Sequence, residues 1–514
     1  MWFTDIVDSF GEKKYMETLI DFLEKYQVGT WLISVSLFLY LIVNLASDGE
    51  VIKNLINQIL HVGNTVYHFY LKIRKKKYEE VLSSEDFLIF EKKCMFLIYK
   101  PLINRLRASH FKIELVHLDW LREENGSCPE YEAIAIASFP GQKFPFDDMF
   151  PEELLQLKKP ENEKVRLNIS QRYAVNLWEK LSGREHERIR RYRRWMSIAI
   201  KHPNRIGYML DQMEFNADGS CLKNVTTHCE YYLSNILESH ILEYEIYCFY
   251  QRCKYWPNYR IKKWKRKILT ERINDIFRES LMKELPIRKT IHSLFKEKEE
   301  EVLRSGEHRN SLLGVQIMVL LKNRSNSYDV VTIRRSMDVV AKPGFIQYIP
   351  SGGFEAANDK NDIDTQRSNY SIHKILFREL AEECFGMREN IDWERMSPEN
   401  VYYQECIKQL QIMLTNNEAE MEYVGTTMNL VGLRQELSFI LKIDCEAFAE
   451  KLVCNYESAS TLNLIDIRKL EKQDYWVDNT FNDIKMLNCT SAGLLMLARK
   501  NHLYQEALAG GQIG

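Results

Sequence analysis

The sequence predicts an α+β protein in three parts: an N-terminal transmembrane helix, a mixed α/β middle region and a C-terminal part in which strands, a glycine turn and an acidic helix follow in order. Three observations carry that expectation. A run of 19 uncharged residues stands near the start, β-branched runs broken by short polar turns begin after residue 311, and an acidic segment with helical periodicity follows at 371–386. The length of 514 residues is about three times that of an ordinary domain, so more than one folded unit is expected. Seventy Lys and Arg against 72 Asp and Glu leave a net charge of −2, which excludes a generally basic nucleic-acid binder, and no duplex nucleic acid is expected as a partner. With 45% hydrophobic and 28% charged residues, a disordered chain and a polytopic membrane protein are both excluded.

Residues 28–46 (VGTWLISVSLFLYLIVNLA) form the uncharged run. As a helix at about 1.5 Å per residue it is roughly 28 Å long, close to the hydrocarbon thickness of a bilayer. Its polar members, Thr30, Ser34, Ser36 and Asn44, are scattered and draw no stripe. A secretory signal is disfavoured because 27 residues precede the run and no A-x-A-like cleavage site follows it. On one flank, residues 1–27 carry Asp5, Asp8, Glu12, Glu17, Asp21 and Glu24 against Lys13, Lys14 and Lys25; on the other stand Lys72, Arg74, Lys75, Lys76 and Lys77. The positive-inside rule then places residues 1–27 outside the cytoplasm and the C-terminal bulk in the cytosol, with membrane lipid as a partner. Residues 47–80 read as an amphipathic juxtamembrane helix or a second span. All eleven cysteines lie beyond the apolar run, their number is odd and none form a C-x-x-C pair, so disulfides and a zinc ribbon are not expected.

The cytosolic middle region, 81–304, mixes strand-like stretches at 115–121 and 132–138 with a four-proline loop at 140–160, helical periodicity at 166–200, a turn at 214–220 (EFNADGS) and a long helix at 229–250. Two basic clusters stand out. Residues 184–194 hold six arginines; residues 252–267 hold eight basic and four aromatic residues and no acid. Arg190, Arg191, Lys262 and Lys263 are the candidate phosphate contacts, and a solvated helix face is the alternative. His228, Cys229, Glu230, His240 and Glu243 crowd together in sequence but lack metal-ligand spacing, so helix-surface positions are the default.

From residue 305 to 508 the pattern changes. Runs at 312–321 and 328–335, separated by the polar turn 322–327, predict a β-hairpin. A third run, 345–350, leads into Ser351-Gly352-Gly353-Phe354-Glu355, and 371–386 (SIHKILFRELAEECFG) predicts a helix capped by Ser371. On that helix Glu379, Glu382 and Glu383 fall at i, i+3 and i+4 and share one face. Three carboxylates on one face repel unless a cation sits among them, and hard oxygen donors suit Mg²⁺ or Mn²⁺ holding a substrate's phosphates. Arg378 precedes Glu382 by one turn, and Leu376, Phe377, Leu380 and Cys384 supply the apolar side.

Arg378-Glu379-Leu380-Ala381-Glu382-Glu383 resembles the REUxEE heart of the Nudix box, G-x5-E-x7-REUxEE-x-GU, with Gly353 in the place of its first glycine. The resemblance implies a Nudix-like α/β/α sandwich in which Glu379, Glu382 and Glu383, with the Gly353 carbonyl, hold Mg²⁺ or Mn²⁺ and Arg378 orients the glutamates. It also implies a general base further along, for which Glu436 is the choice, with Glu420 and Glu422 as alternatives. The chain departs from the box at Asp359, where Glu is expected, in the 18 residues between Asp359 and Arg378, and in the two residues rather than one between Glu383 and Gly386. The architecture resembles membrane-anchored Nudix effectors of bacterial cyclic-oligonucleotide-based antiphage signalling. That likeness implies a protein of the bacterial inner membrane whose cytosolic part binds a nucleotide or cyclic oligonucleotide, assembles as a homo-oligomer and disrupts the membrane. The alternative it leaves open is a membrane-tethered, Mg²⁺-dependent pyrophosphatase acting on a nucleoside diphosphate derivative, and a scaffold that only binds a partner protein is the third reading.

Overall fold

The computed structural model describes residues 75–116, 136–140, 155–157, 179–199, 206–255, 275–295, 297–335, 344–356, 369–385, 405–452, 459–471 and 487–510. The chain divides into two compact units, one of Met1–Val81 with Arg194–Lys201 and one of Leu82–Arg193 with His202–Gly514. Of the smaller unit, the described residues are helical at 75–81, where Lys75 pairs with Glu79 one turn on, and at 194–199.

The expected fold class is corrected at its first part. No helix among the described residues is long and apolar enough to cross a membrane. The longest, Glu85–Ala108, has the length but carries Glu91, Lys92, Lys93 and Lys100 through its middle, which hydrocarbon would not accept. Residues 28–46, where the transmembrane helix was expected, lie outside the described residues, as do residues 47–74 of the juxtamembrane stretch. What the structure describes is a mixed α/β fold.

In the larger unit, α1 (Glu85–Ala108) precedes β1 (Glu114–Leu115), β2 (Ile136–Pro140), β3 (Leu155–Leu157) and α2 (Gly183–Ala199), whose residues 194–199 are assigned to the smaller unit. The hairpin β4 (Ile206–Phe215) and β5 (Leu222–Tyr231) turns at 216–221, where the turn was expected at 214–220, Glu214 and Phe215 instead ending β4: the Asn216 and Asp218 side chains accept the Cys221 and Ser220 N–H groups, as turn residues do. The helix expected from residue 229 starts three residues later, because Cys229 and Tyr231 complete β5 by pairing with Tyr208 and Ile206 of β4. It then runs as α3 (Tyr232–Asn235), a π-helical turn (Ile236–His240) and α4 (Ile241–Tyr255). Helices α5 (Asp275–Glu284) and α6 (Pro286–Leu294) follow. The carboxylate of Glu245 caps α6 by accepting the N–H groups of Ile287, at 2.6 Å, and Arg288, at 3.2 Å.

The expected hairpin is β7 (Gly314–Lys322) and β8 (Tyr328–Arg335), preceded by the short β6 (Ser311–Leu312) and followed by β9 (Ile346–Tyr348) and β10 (Ser351–Gly353), with Ile349-Pro350 a cis peptide bond. Helix α7 (Ile372–Cys384) has Ser371 as its N-cap, the hydroxyl accepting the Lys374 N–H at 3.3 Å. Helix α8 (Glu405–Thr415), strands β11 (Ala419–Asn429), β12 (Arg434–Ile443) and β13 (Ala459–Asp466), and helices α9 (Ile467–Leu470), α10 (Cys489–Ala498) and α11 (His502–Gly510) complete the described chain.

Two sheets result, one ordered β1-β2-β11-β12-β7-β8-β13, with β10 on β7 and β9 on β8, the other ordered β3-β5-β4-β6. β7 lies parallel to β12, with Gly314 opposite Glu436. Both faces of β7 are covered, which explains its unbroken apolar reading. Val315, Ile317, Val319 and Leu321 enter a core shared with α7 and α8, whereas Met318 and Leu320 enter one shared with α10 and α11. The first core also contains Ile206, Tyr208, Leu210, Leu222 and Val225, so the β4-β5 hairpin and the 314–443 strands bury one continuous apolar cluster. At about 25 cal/mol per Å² of apolar surface, burial on this scale dominates the stability of the unit.

A candidate phosphate site at the carboxylate face of α7

Helix α7 turns its apolar side, Leu376, Phe377, Leu380 and Cys384, into the first core, as its periodicity requires. Another face brings Glu379 and Glu383 against β10 and Glu382 to Arg378. The Ser351 N–H donates to Glu383 Oε2 at 2.8 Å. At Gly352 the backbone comes so close to the Glu379 carboxylate that a β-carbon would displace it. Gly353 lies opposite Gly314 in the β10-β7 pairing. Arg378 is buried and binds across this face: Nη2 donates to Glu379 Oε1 at 2.8 Å, Nη1 donates to the Glu355 carbonyl at 2.8 Å, and Nε lies 3.8 Å from Glu382 Oε1. Burial acts to lower the Arg378 pKa, but the charges of Glu379 and Glu382 outweigh it and raise it, so the guanidinium is permanently charged.

Glu436 is placed inside β12, opposite Thr427 on β11 and Gly314 on β7. A β-carbon at Gly314 would meet the Glu436 side chain, so this glycine makes room for it. Burial raises the Glu436 pKa, against the opposing pull of Arg434 and Arg335. Burial also pushes Glu383 up, to about 8, with the Glu379 charge adding to it. Among the alternatives for the base, Glu420 pairs with Lys442 and Glu422 accepts a hydrogen bond from Asn501, which directs both elsewhere.

The donor chemistry suits a hard divalent cation. Three carboxylates share a buried face, and their mutual repulsion, visible in Glu383, is what Mg²⁺ or Mn²⁺ would relieve. As placed, however, no group of three His, Cys, Asp or Glu residues among the described residues is arranged to hold a metal ion. Arg378 supplies the counter-charge to Glu379 and Glu382 instead.

The other candidates do not join this site. Arg190 and Arg191 are exposed on α2, where Arg191 pairs with Glu187 at 2.9 Å. Lys262 and Lys263 lie outside the described residues. His228 is held by Asp211 and Asn310, at 3.0 Å each. His240 turns to Arg434, with Nη1 3.3 Å from its Nε2. Sequence reasoning missed Arg335 and Arg434, which act electrostatically on Glu383 and Glu436. The signal available for them was an arginine closing a β-branched strand and another two residues before the chosen base.

No family model matches the chain, and comparison with curated proteins finds no match.

Proposed function

We propose that the larger unit binds a nucleotide through its diphosphate at the carboxylate face of α7 and hydrolyses that linkage with the help of Mg²⁺ or Mn²⁺. The observation that supports this most is the packing of Glu379 and Glu383 against Ser351–Gly352, with Glu382 one turn along the helix at Arg378 and Glu383 driven to about 8 by burial and like charge. Glu379, Glu382 and Glu383 are the residues that would hold the cation, which neutralises the diphosphate and makes bound water more acidic. Arg378 fixes the rotamer of Glu379 and ties α7 to the Glu355 carbonyl, so the acidic face cannot drift from β10. The Ser351 N–H holds one oxygen of Glu383. Glu436, buried and with a raised pKa, serves as the group that takes a proton from the attacking water.

The test is turnover by the full chain of nucleoside diphosphate sugars, ADP-ribose and dinucleoside polyphosphates in Mg²⁺. Glu436→Gln should lower kcat by about 10²–10⁴-fold, the range a general base contributes, and Glu382→Gln should leave only background while the melting curve stays in place. Absence of metal-dependent product from the wild type across this panel overturns the hydrolytic reading.

A second reading, a receptor that binds a cyclic oligonucleotide without cleaving it, is favoured by the lack of a metal-ready carboxylate group among the described residues. Calorimetric binding of a cyclic di- or trinucleotide, with the ligand recovered intact, would decide for it.

A further inference from the structure

Beside the acidic face, the same end of the sheet carries basic groups that the hydrolytic reading does not use. Arg335 closes β8 and Arg434 opens β12. Arg335 Nη1 donates to Gln347 Oε1 of β9. Arg434 places Nη1 3.3 Å from His240 Nε2 and Nη2 3.9 Å from Glu436 Oε1. In both arginines the Nε–H is buried and finds no hydrogen-bond partner among the described residues. Arg335 lies within the field of both Arg434 and Tyr232.

Two like charges on half-buried side chains, each with a buried spare N–H, are costly unless a counter-ion completes them. The nearby carboxylates only partly do so. Glu383 and Glu436 act on Arg335, yet burial still depresses the Arg335 pKa. His240 adds no positive charge, because burial and the two arginines hold its pKa down to about 3. Its neutral ring orients Arg434 and leaves the remaining guanidinium edge to something else.

The wall opposite is supplied by the π-helical turn Ile236–His240 and the preceding α3. Insertion of a π turn into a helix is frequent at functional sites, since it redirects side chains out of the α-helical register. Here the turn is pinned to the start of the central strands: Asn235 Oδ1 accepts the Leu312 N–H at 3.1 Å, and Glu238 Oε2 accepts the Asn310 N–H at 2.7 Å. His240 and Tyr232 are thereby fixed relative to Arg335 and Arg434, 95 and more residues away in sequence.

We infer that Arg335 and Arg434, with His240 on the facing π-helical turn and Tyr232 on α3, form an anion subsite that takes a phosphate or pyrophosphate group of the ligand. Guanidinium is the donor best matched to such oxyanions, offering paired N–H groups in a fixed fork. The site as a whole is then bipolar, with carboxylates for a cation at α7 and arginines for phosphate oxygens at β8 and β12. This inference rests on the reading of the α7 face as a phosphate-ester site, but it is separable from hydrolysis.

The experiment is isothermal titration of the full chain with inorganic pyrophosphate, with and without Mg²⁺, alongside turnover of the substrate panel. The wild type is expected to bind pyrophosphate, and Arg335→Gln and Arg434→Gln are each expected to weaken it about tenfold or more, as loss of charge-assisted hydrogen bonds does. Glu382→Gln should lose turnover and bind pyrophosphate at least as well in the absence of Mg²⁺. Arg335→Lys and Arg434→Lys keep the charge and lose the fork; they carry the test if the Gln variants do not fold, and should also bind more weakly. Wild-type affinity in the arginine variants, or no pyrophosphate binding by the wild type, overturns the subsite. Arginine-dependent binding without turnover of any substrate supports the subsite and removes the hydrolytic reading.

Discussion

Glu383 is a carboxyl group that the fold keeps protonated well above the usual carboxylate range, because burial and the Glu379 charge both oppose its ionisation. Between its ordinary value of 4.5 and about 8 the folded chain holds a proton that the unfolded chain has released. Stability from this group is therefore complete below about 4.5, declines as pH rises and is gone above about 8. Melting temperatures measured from pH 5 to pH 9 should fall more steeply for the wild type than for Glu383→Gln, which has no proton to lose. Saturating Mg²⁺ should flatten the wild-type slope if the ion joins this face; an unchanged slope would count against metal binding there. The acidic spacing, Arg378 and the Ser371 cap were all legible in the sequence, since each depends on positions within one or two turns of a single helix. The Ser351 N–H on Glu383 and the close approach of Gly352 to the Glu379 carboxylate were not, because they arise only when β10 is laid against α7.

Among the elements, the turn joining β11 to β12 shows how the middle region sets the site. Arg288 of α6 is fully buried and donates to the Leu430 and Val431 carbonyls and to the Tyr99 hydroxyl of α1. Arg309 donates to the Leu433 carbonyl at 3.0 Å, and the Ser311 hydroxyl donates to the same oxygen. These bonds hold the residues just before Arg434 and Glu436, so α6 and the 309–311 segment position β12 at its first residues. Arg288→Ala would strand two buried carbonyls and leave a cavity; the expected loss is about 3 kcal/mol or more, read as a lower midpoint in urea unfolding. Relaxed placement of Arg434 should weaken pyrophosphate binding in the same variant. A loss under about 1 kcal/mol would show the turn to be held by other contacts. The β7-β8 hairpin was legible because both strands and their polar turn are contiguous. The π-helical turn was not, since nothing in the periodicity of 229–250 marks where the register opens.

For the whole molecule, the apolar cluster beneath the site is common to residues before and after 304. Ile206, Tyr208, Leu210, Leu222 and Val225 pack with Val315, Ile317, Leu376 and Phe439, and β6 pairs with β4. A fragment of residues 305–508 would expose that surface and lose the strand that pairs with Ser311 and Leu312. It is expected to aggregate or to lack a cooperative melt, whereas a chain beginning at residue 82 should melt cooperatively; a well-dispersed amide spectrum from the short fragment would refute this. What the sequence determined by itself was the local chemistry: the acidic face of α7, its cap, the central hairpin, and a cysteine pattern without disulfide pairs. Only the tertiary structure decided which residues share the site. The parallel pairing of β7 with β12 brings Glu436 to Gly314, and the pinned π turn brings His240 to Arg434, 194 residues away. Periodicity reports contacts a few residues apart, whereas these partners are selected by burial of a core to which distant segments contribute together.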